Sequence, residues 1–399
     1  MTSVTPVSGP TLVVAQSGGP TPVVNASIVG ALRAARTSGK FARVLGARFG
    51  LEGVQRDDYV DLTELDEAQL GILERTPGAS LGSSRHRQSD EELRMMLDRL
   101  QVHGVRAVAM VGGNDSAETL HRLHLTASAA GVELAAVGIP KTVDNDLPEM
   151  DHCPGYGSAA RYIAQAAREA GLDSAAMRHT DPVKVIEVAG RHAGWLAAAS
   201  ALARDAPGDP PHLIFLPERP RSLAQMIEEV RAVQAAHGWA IVVISENQTD
   251  DRGQPLAGGQ PIFVDPHGHA YHESPGQFLV RMVQSETELR ARYERPGSLQ
   301  RTSLSIISDT DRREAAGAGA EAVRRALAGE SDIMVAIQRQ PGPEYRVRYG
   351  AAPLAAIAHA ERLLPDALID PSGVDVTDAF LAYAQPLIGG PLPPALRFT

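Results

Sequence analysis

The sequence predicts an α/β fold built on parallel sheets with helices on their faces, and three observations carry that expectation. Short apolar runs rich in Val, Ile and Leu alternate with longer segments patterned at helical spacing. Strands buried on both faces read as such continuous runs, and βα alternation implies a parallel sheet covered by helices. The runs are also too many for one comfortable sheet, so two sheets are expected.

The first run, residues 11–15, is followed by a helix over 22–36 and a strand over 42–47. A helix over 90–103 leads to the strand 106–111, a helix over 117–130 to the strand 134–139, and a helix over 159–170 to the strand 183–188. The pattern continues with strands 213–216, 240–244 and 303–307 and helices 222–236, 275–289 and 312–327. Residues 205–211 and 250–268 are loops by composition, because Gly, Pro and Asp dominate and apolar periodicity disappears. The last fifty residues are rich in Ala, Leu and Pro without a charge constellation, and no fixed-period repeat or low-complexity tail is present.

At 399 residues and 43% hydrophobic content the chain can bury large cores, and its length suggests two or three domains at about 150 residues each. A formal net charge of -10 argues against nucleic acid or an anionic membrane as an electrostatic partner. Any anionic substrate must then be met by local Arg and Lys. No apolar stretch approaches the roughly 20 residues of a membrane span, and residues 1–15 lack a secretory pattern. Cys153 is the only cysteine, which excludes an internal disulfide framework and a thiolate-rich metal site. The chain reads as cytoplasmic, with Cys153 a small packed residue.

In doubly wound folds ligands bind beyond the carboxyl ends of the strands, and four of those loops are unusual here. Pro140-Lys141-Thr142-Val143-Asp144-Asn145-Asp146 follows the strand 134–139. An alcohol attacking phosphorus needs a carboxylate to take its proton, oxygens to hold Mg²⁺, and a cation to offset charge on the transferring group. Asp144, Asp146 and Lys141 supply all three, although a turn in which Asp144 and Asn145 satisfy local amides has the same composition. Gln16-Ser17-Gly18-Gly19-Pro20 lets backbone approach an anion ahead of a helix, or simply turns the chain. Gly112-Gly113-Asn114-Asp115-Ser116 joins a backbone nest to side-chain oxygens, with Asp115 reading equally as a helix cap. In Gly190-Arg191-His192, Arg191 is placed to meet phosphate with a fixed fork of donors, while His192 reads as packed or solvated and Trp195 as core. Arg85 after Gly82-Ser83-Ser84, and the arginines between Arg292 and Arg301, are further anion candidates or surface charge.

Taken in order, Gly18-Gly19, Gly112 to Ser116, Pro140 to Asp146, Gly190-Arg191, Pro217-Glu218 and Gln300-Arg301 resemble the phosphofructokinase family over roughly residues 11–330. The resemblance implies two Rossmann-like domains with mostly parallel sheets and an active site in the cleft between them. It implies phosphorylation of fructose 6-phosphate at its 1-hydroxyl with Mg²⁺, Asp144 as general base, and Lys141 and Arg191 at the transferring phosphate. Gly18, Gly19, Arg85, Gly113, Asn114, Asp115 and Ser116 fall on the donor side. Thr142, Asp146, Gly190, Glu218, Arg292, Ser298 and Arg301 fall on the sugar side, with Asp115 and Asp146 toward the metal. Some family phosphate contacts cross a subunit boundary, so Arg292 is expected to serve a neighbouring copy in a homo-oligomer, a dimer being favoured.

The ATP-using branch has glycine at the positions of Asp115 and Lys141, whereas pyrophosphate-using members carry Asp and Lys. An aspartate repels an α-phosphate, and a lysine adds a cation for a small, highly charged donor. The resemblance therefore implies pyrophosphate as donor and a readily reversible reaction. Three departures stand out: Asn114 replaces an aspartate linked to Mg²⁺, Pro182 an intersubunit arginine, and Ser298 a common histidine. An ATP-dependent 6-phosphofructokinase and a non-catalytic sugar-phosphate-binding subunit are the competing readings. The expected division is residues 1–155 as the donor domain, 156–300 as the sugar-phosphate domain, and 301–399 as segments returning to both.

Overall fold

A computed structural model describes residues 9–258, 260–264, 270–271 and 273–396, so parts of the N-terminal stretch and of the 250–268 loop considered above lie outside the described residues. The strands, in chain order, are β1 (Thr11–Gln16), β2 (Arg43–Ala47), β3 (Tyr59–Asp61), β4 (Val105–Gly112), β5 (Ala135–Pro140), β6 (Val183–Val188), β7 (Leu213–Phe215), β8 (Ala240–Ser245), β9 (Phe263–Val264), β10 (Ala270–Tyr271), β11 (Ala291–Glu294), β12 (Ile333–Arg339) and β13 (Val347–Pro353). The chain divides into two compact units, Met1–Ser158 with Arg301–Arg362, and Ala159–Gln300 with Leu363–Thr399.

The first unit holds a seven-stranded sheet in the order β13-β12-β5-β4-β1-β2-β3. β12, β5, β4, β1 and β2 run parallel, with β3 and β13 antiparallel at the edges. From β1 the chain builds outward to β2 on one side and to β4 and β5 on the other, so the loops after β1, β4 and β5 emerge side by side at a switch point. Every residue of β1 is buried, and its side chains alternate between two cores. Leu12 and Val14 pack with Ile28, Leu32, Ala318 and Val323. Val13 and Ala15 pack with Leu93, Met96, Leu97 and Leu120. The second unit carries the all-parallel sheet β11-β6-β8-β7, and β9 with β10 forms a separate antiparallel pair. The α/β fold with mostly parallel sheets is thus as the sequence predicts.

One expected strand is absent. Residues 303–307 are irregular: Leu304 is exposed, while Ile307 packs on Val23, Ala26 and Ala315. Ser308, just beyond, caps the helix Asp309–Leu327 by accepting from the Asp311 amide, and a helix entry replaces the strand. Four strands that complete the two sheets were not among the expected runs: β3, β12 and β13 in the first, and β11, a polar edge strand, in the second.

The helix Val24–Ser38 follows the first loop and lies against the helix Asp309–Leu327 at two glycines. A Cβ on Gly30 would stand 1.8 Å from the Ala316 carbonyl oxygen, and one on Gly319 1.8 Å from that of Ser27. Backbone cannot yield as a flexible side-chain end does, so Gly319→Ala is expected to destabilise the protein by about 1–3 kcal/mol through overpacking. A fall in the urea unfolding midpoint would show it; an unchanged midpoint would mean that the helices separate freely.

Candidate active site

Lys141 is the residue immediately after β5. Its amide donates to the Gly112 carbonyl at 3.1 Å, extending the ladder to β4 by one bond. From there the side chain, 4% exposed, reaches the loop after β1, and Nζ donates to the Gly19 carbonyl at 2.7 Å. Two arginines arrive at the same loop. A Cβ on Gly18 would lie 3.1 Å from Lys141 Nζ, and one on Gly19 3.1 Å from Arg301 Nη1 and 4.0 Å from Arg85 Nη2. The diglycine is therefore what leaves room for three cations to converge. Arg85 is brought there by its neighbours: Ser83 Oγ donates to the Gly18 carbonyl at 2.6 Å, and the Gly18 amide to the Ser84 carbonyl at 3.1 Å. Arg301 keeps Nε buried with no hydrogen-bond partner among the described residues. Burial pulls the Lys141 pKa down to about 8; Asp144 and Asp146 resist that shift, and Arg85 and Arg301 add to it.

The loop after β4 opens the helix Asn114–Ala129, with Gly113 at the cap position and no side-chain cap. Asn114 Oδ1 accepts from the Asp115 amide at 2.9 Å, and Ser116 is buried. Asp115 sits inside the first turn, exposed, so the alternative that it is the helix cap does not hold. In the loop after β5, the Asp144 amide donates to Thr142 Oγ1 at 3.1 Å. Asn145 is fully buried at φ 58°, and its Oδ1 accepts from the Cys153 amide at 2.9 Å, a structural task within the loop. Burial raises the Asp146 pKa; the Thr142 hydroxyl and Lys141 oppose the rise, and Glu361 reinforces it. Cys153 is buried and its thiol is pushed up to about 12 by burial, in keeping with a packed, unreactive residue.

In the second unit Gly190 lies at φ 129°, its carbonyl accepting from Ser245 Oγ at 2.5 Å, and Arg191 beside it is exposed with no ion-pair partner among the described residues. Glu218 Oε1 accepts from the Gly194 amide at 2.9 Å and the Leu364 amide at 2.8 Å. Its Oε2 is buried and has no partner among the described residues, and burial raises its pKa. Arg292 lies on the edge strand β11 and pairs with Asp181 at 2.8 Å. Ser298 is exposed in the 3₁₀ turn Gly297–Arg301, where Gln300 Oε1 accepts from the Ala189 amide at 3.1 Å. Trp195 is buried against Phe380 and Tyr383, as a core residue. Glu361, Arg362 and the Leu364 amide escape a reading of sequence, because no local motif marks them.

Residues 11–326 match the family model described as phosphofructokinase. The chain belongs to the phosphofructokinase family. It is 38% identical over 390 residues to the pyrophosphate--fructose 6-phosphate 1-phosphotransferase of Xanthomonas campestris pv. campestris, covering 96% of this chain and 92% of that protein. It is 37% identical over 392 residues to the Rhodospirillum rubrum protein of the same name, covering 97% and 96%. Among solved structures, the pyrophosphate-dependent phosphofructokinase of Nitrosospira multiformis superposes with a TM-score of 0.87 at 33% identity, covering 97% of this chain and 94% of that one.

For this phosphofructokinase the Lys141 environment makes a measurable claim. Titration of the lysine Nζ resonances by NMR, with Lys141→Met for assignment, is expected to show one ammonium with a pKa of about 8. A lysine spectrum titrating wholly near the ordinary value of about 10.4 would mean that the side chain is solvated.

Proposed function

We propose that this chain transfers a phosphoryl group reversibly from pyrophosphate to the 1-hydroxyl of fructose 6-phosphate, giving fructose 1,6-bisphosphate and phosphate. The observation that carries this reading is the convergence of Lys141, Arg301 and Arg85 on Gly18 and Gly19. Three cations at one half-buried backbone turn suit a small, dense anion. Asp115 is exposed at the start of the neighbouring helix, and in this reading its negative charge would repel the further phosphate of a longer nucleotide donor. Asp144 takes the hydroxyl proton, and Lys141 and Arg191 offset charge on the transferring group. Glu218, with one oxygen anchored and one open, accepts a sugar hydroxyl.

Mg²⁺ typically uses one or two carboxylates plus substrate phosphates; in this reading Asp146 and Asp115 would supply the carboxylates, and the phosphates the rest, since among the described residues no group of three or more His, Cys, Asp or Glu forms a cation site by itself. Burial and Glu361 both disfavour the Asp146 carboxylate, and a dication there would favour its charged form. When bound, the metal would neutralise phosphate oxygens. In this reading residues 1–155 carry the donor site, residues 156–300 the sugar-phosphate site, and 301–399 return to both. Arg292, exposed on an edge strand, is available to a neighbouring copy, which supports a homo-oligomer with a dimer favoured. With a single cysteine the reading is of a cytoplasmic enzyme; among the described residues no helix is long and apolar enough to cross a membrane.

Purified protein with Mg²⁺ is expected to consume fructose 6-phosphate with pyrophosphate and not with ATP, and turnover with ATP alone would overturn the donor assignment. Asp144→Ala is expected to lower kcat by about 10²–10⁴-fold while sugar-phosphate binding persists. Near-normal turnover in that variant would remove Asp144 from the chemistry.

The Lys141 cation is present below its pKa and lost above it. The value of kcat/KM for pyrophosphate should therefore decline as pH rises through about 8, and Lys141→Arg should move that decline to higher pH. An identical profile in the variant would show that another group titrates.

A further inference from the structure

The carboxylates assigned to chemistry and metal binding project from residues 141–151, an irregular loop whose backbone groups need partners outside a sheet. One side chain meets three of its carbonyls. Arg362 donates from Nε and Nη2 to the Asn145 carbonyl at 3.2 and 2.8 Å, and from Nη1 to the Met150 carbonyl at 2.9 Å and to the Asp151 carbonyl. Its own amide donates to the Asp146 carbonyl at 2.6 Å. The fork is planar and always charged, so it fixes three carbonyls relative to one another as a flexible lysine could not. Asn145 needs such support, since it holds a left-handed backbone conformation between the two carboxylates. At the far end the loop is tied to β12 by the Asp151 amide, which donates to the Ile337 carbonyl at 2.8 Å. The Arg362 clamp thus joins the turn that presents Asp144 and Asp146 to the far end of the same loop. Two residues further on, in the other unit, the Leu364 amide is one of the two that hold Glu218.

We propose that Arg362 is a positioning residue for phosphoryl transfer: it sets the place of Asp144 and Asp146 by gripping the carbonyls of Asn145, Asp146, Met150 and Asp151. It touches no reacting atom, and the proposal rests on Asp144 being the general base. Displacement of a catalytic group by about 1 Å costs on the order of 10²-fold in rate.

Arg362→Ala is accordingly expected to lose about 10²-fold in kcat while KM for fructose 6-phosphate and pyrophosphate stays near wild type. Added guanidinium ion should restore part of the lost rate, and Arg362→Lys, which lacks the fork, should fall between. If Arg362→Ala does not fold, Arg362→Lys carries the same comparison. A cycle with Asp144→Ala separates the claims. Where Arg362 acts through Asp144, Asp144→Ala and the double variant share one residual rate. A double variant slower than Asp144→Ala by the full Arg362→Ala factor, or a wild-type kcat in Arg362→Ala, overturns the positioning role. Normal turnover in Asp144→Ala instead overturns the base assignment, whatever Arg362 does.

Discussion

The buried ammonium of Lys141 against the Gly19 carbonyl is the constraint on which the donor side depends. Removing an ammonium from water costs several kcal/mol unless carbonyls and carboxylates replace the lost hydration. Here the replacements come from two directions: Gly19 from the loop after β1, and Asp144 with Asp146 from the lysine's own loop. The arrangement requires the strand order, because β5 and β1 are separated by β4 and two strand spacings amount to roughly 10 Å. Only a long side chain starting at the end of β5 crosses that distance. Lys141 is therefore both part of the proposed anion site and a tie across the switch point, and the glycines under it are fixed by the space its ammonium and the arginines occupy.

Buried carboxylates in this protein fall into two kinds, and the difference separates scaffold from site. Asp311 is almost wholly buried and accepts from the Gly155 amide at 2.8 Å, the Ser158 amide at 2.9 Å and Ser158 Oγ at 2.6 Å. Both of its oxygens are engaged by the chain itself. Glu218 is satisfied on one oxygen and open on the other. A buried acceptor without a donor costs about 1–3 kcal/mol, a penalty that a ligand hydroxyl would relieve. Asp311 thus reads as a brace at the start of the helix Tyr156–Met177, and the unpartnered Glu218 oxygen supports the proposal that this residue accepts a sugar hydroxyl.

How much of this was legible in the sequence follows from what each element depends on. β1, β4, β5, β6 and β8 announce themselves because they are buried on both faces, and the loops after β1, β4, β5 and β6 because their composition is local. β11 was hidden by its polarity, since an edge strand has one side in solvent, and 303–307 misled because its apolar residues serve a helix entry rather than a sheet. Within the proposed site, Asp144 and Lys141 were visible in seven residues of sequence. The meeting of Arg301 and Arg85 over Gly19 was not, because it joins residues more than two hundred positions apart. Arg362 shows the same limit more sharply: it lies 217 residues from Asn145, in a stretch with no motif of its own.

The chain carries a formal net charge of -10, yet the observation that supports its function is a cluster of cations meant for an anion. The two are compatible because range decides. At an effective dielectric constant of 20 a unit charge pair at 4 Å is worth roughly 4 kcal/mol, while exposed charges beyond about 8 Å are largely screened at physiological salt. Carboxylates spread over the surface therefore do little at the diglycine, and three nearby cations do much. The exception is an acidic group inside that radius. Asp144 and Asp146 are close enough to hold Lys141 toward its charged form, so the same carboxylates that would repel a bare polyphosphate also maintain the cation proposed to bind it. A dication held by Asp146 beside the phosphates would offset that opposition, which is the physical reason to expect a metal here.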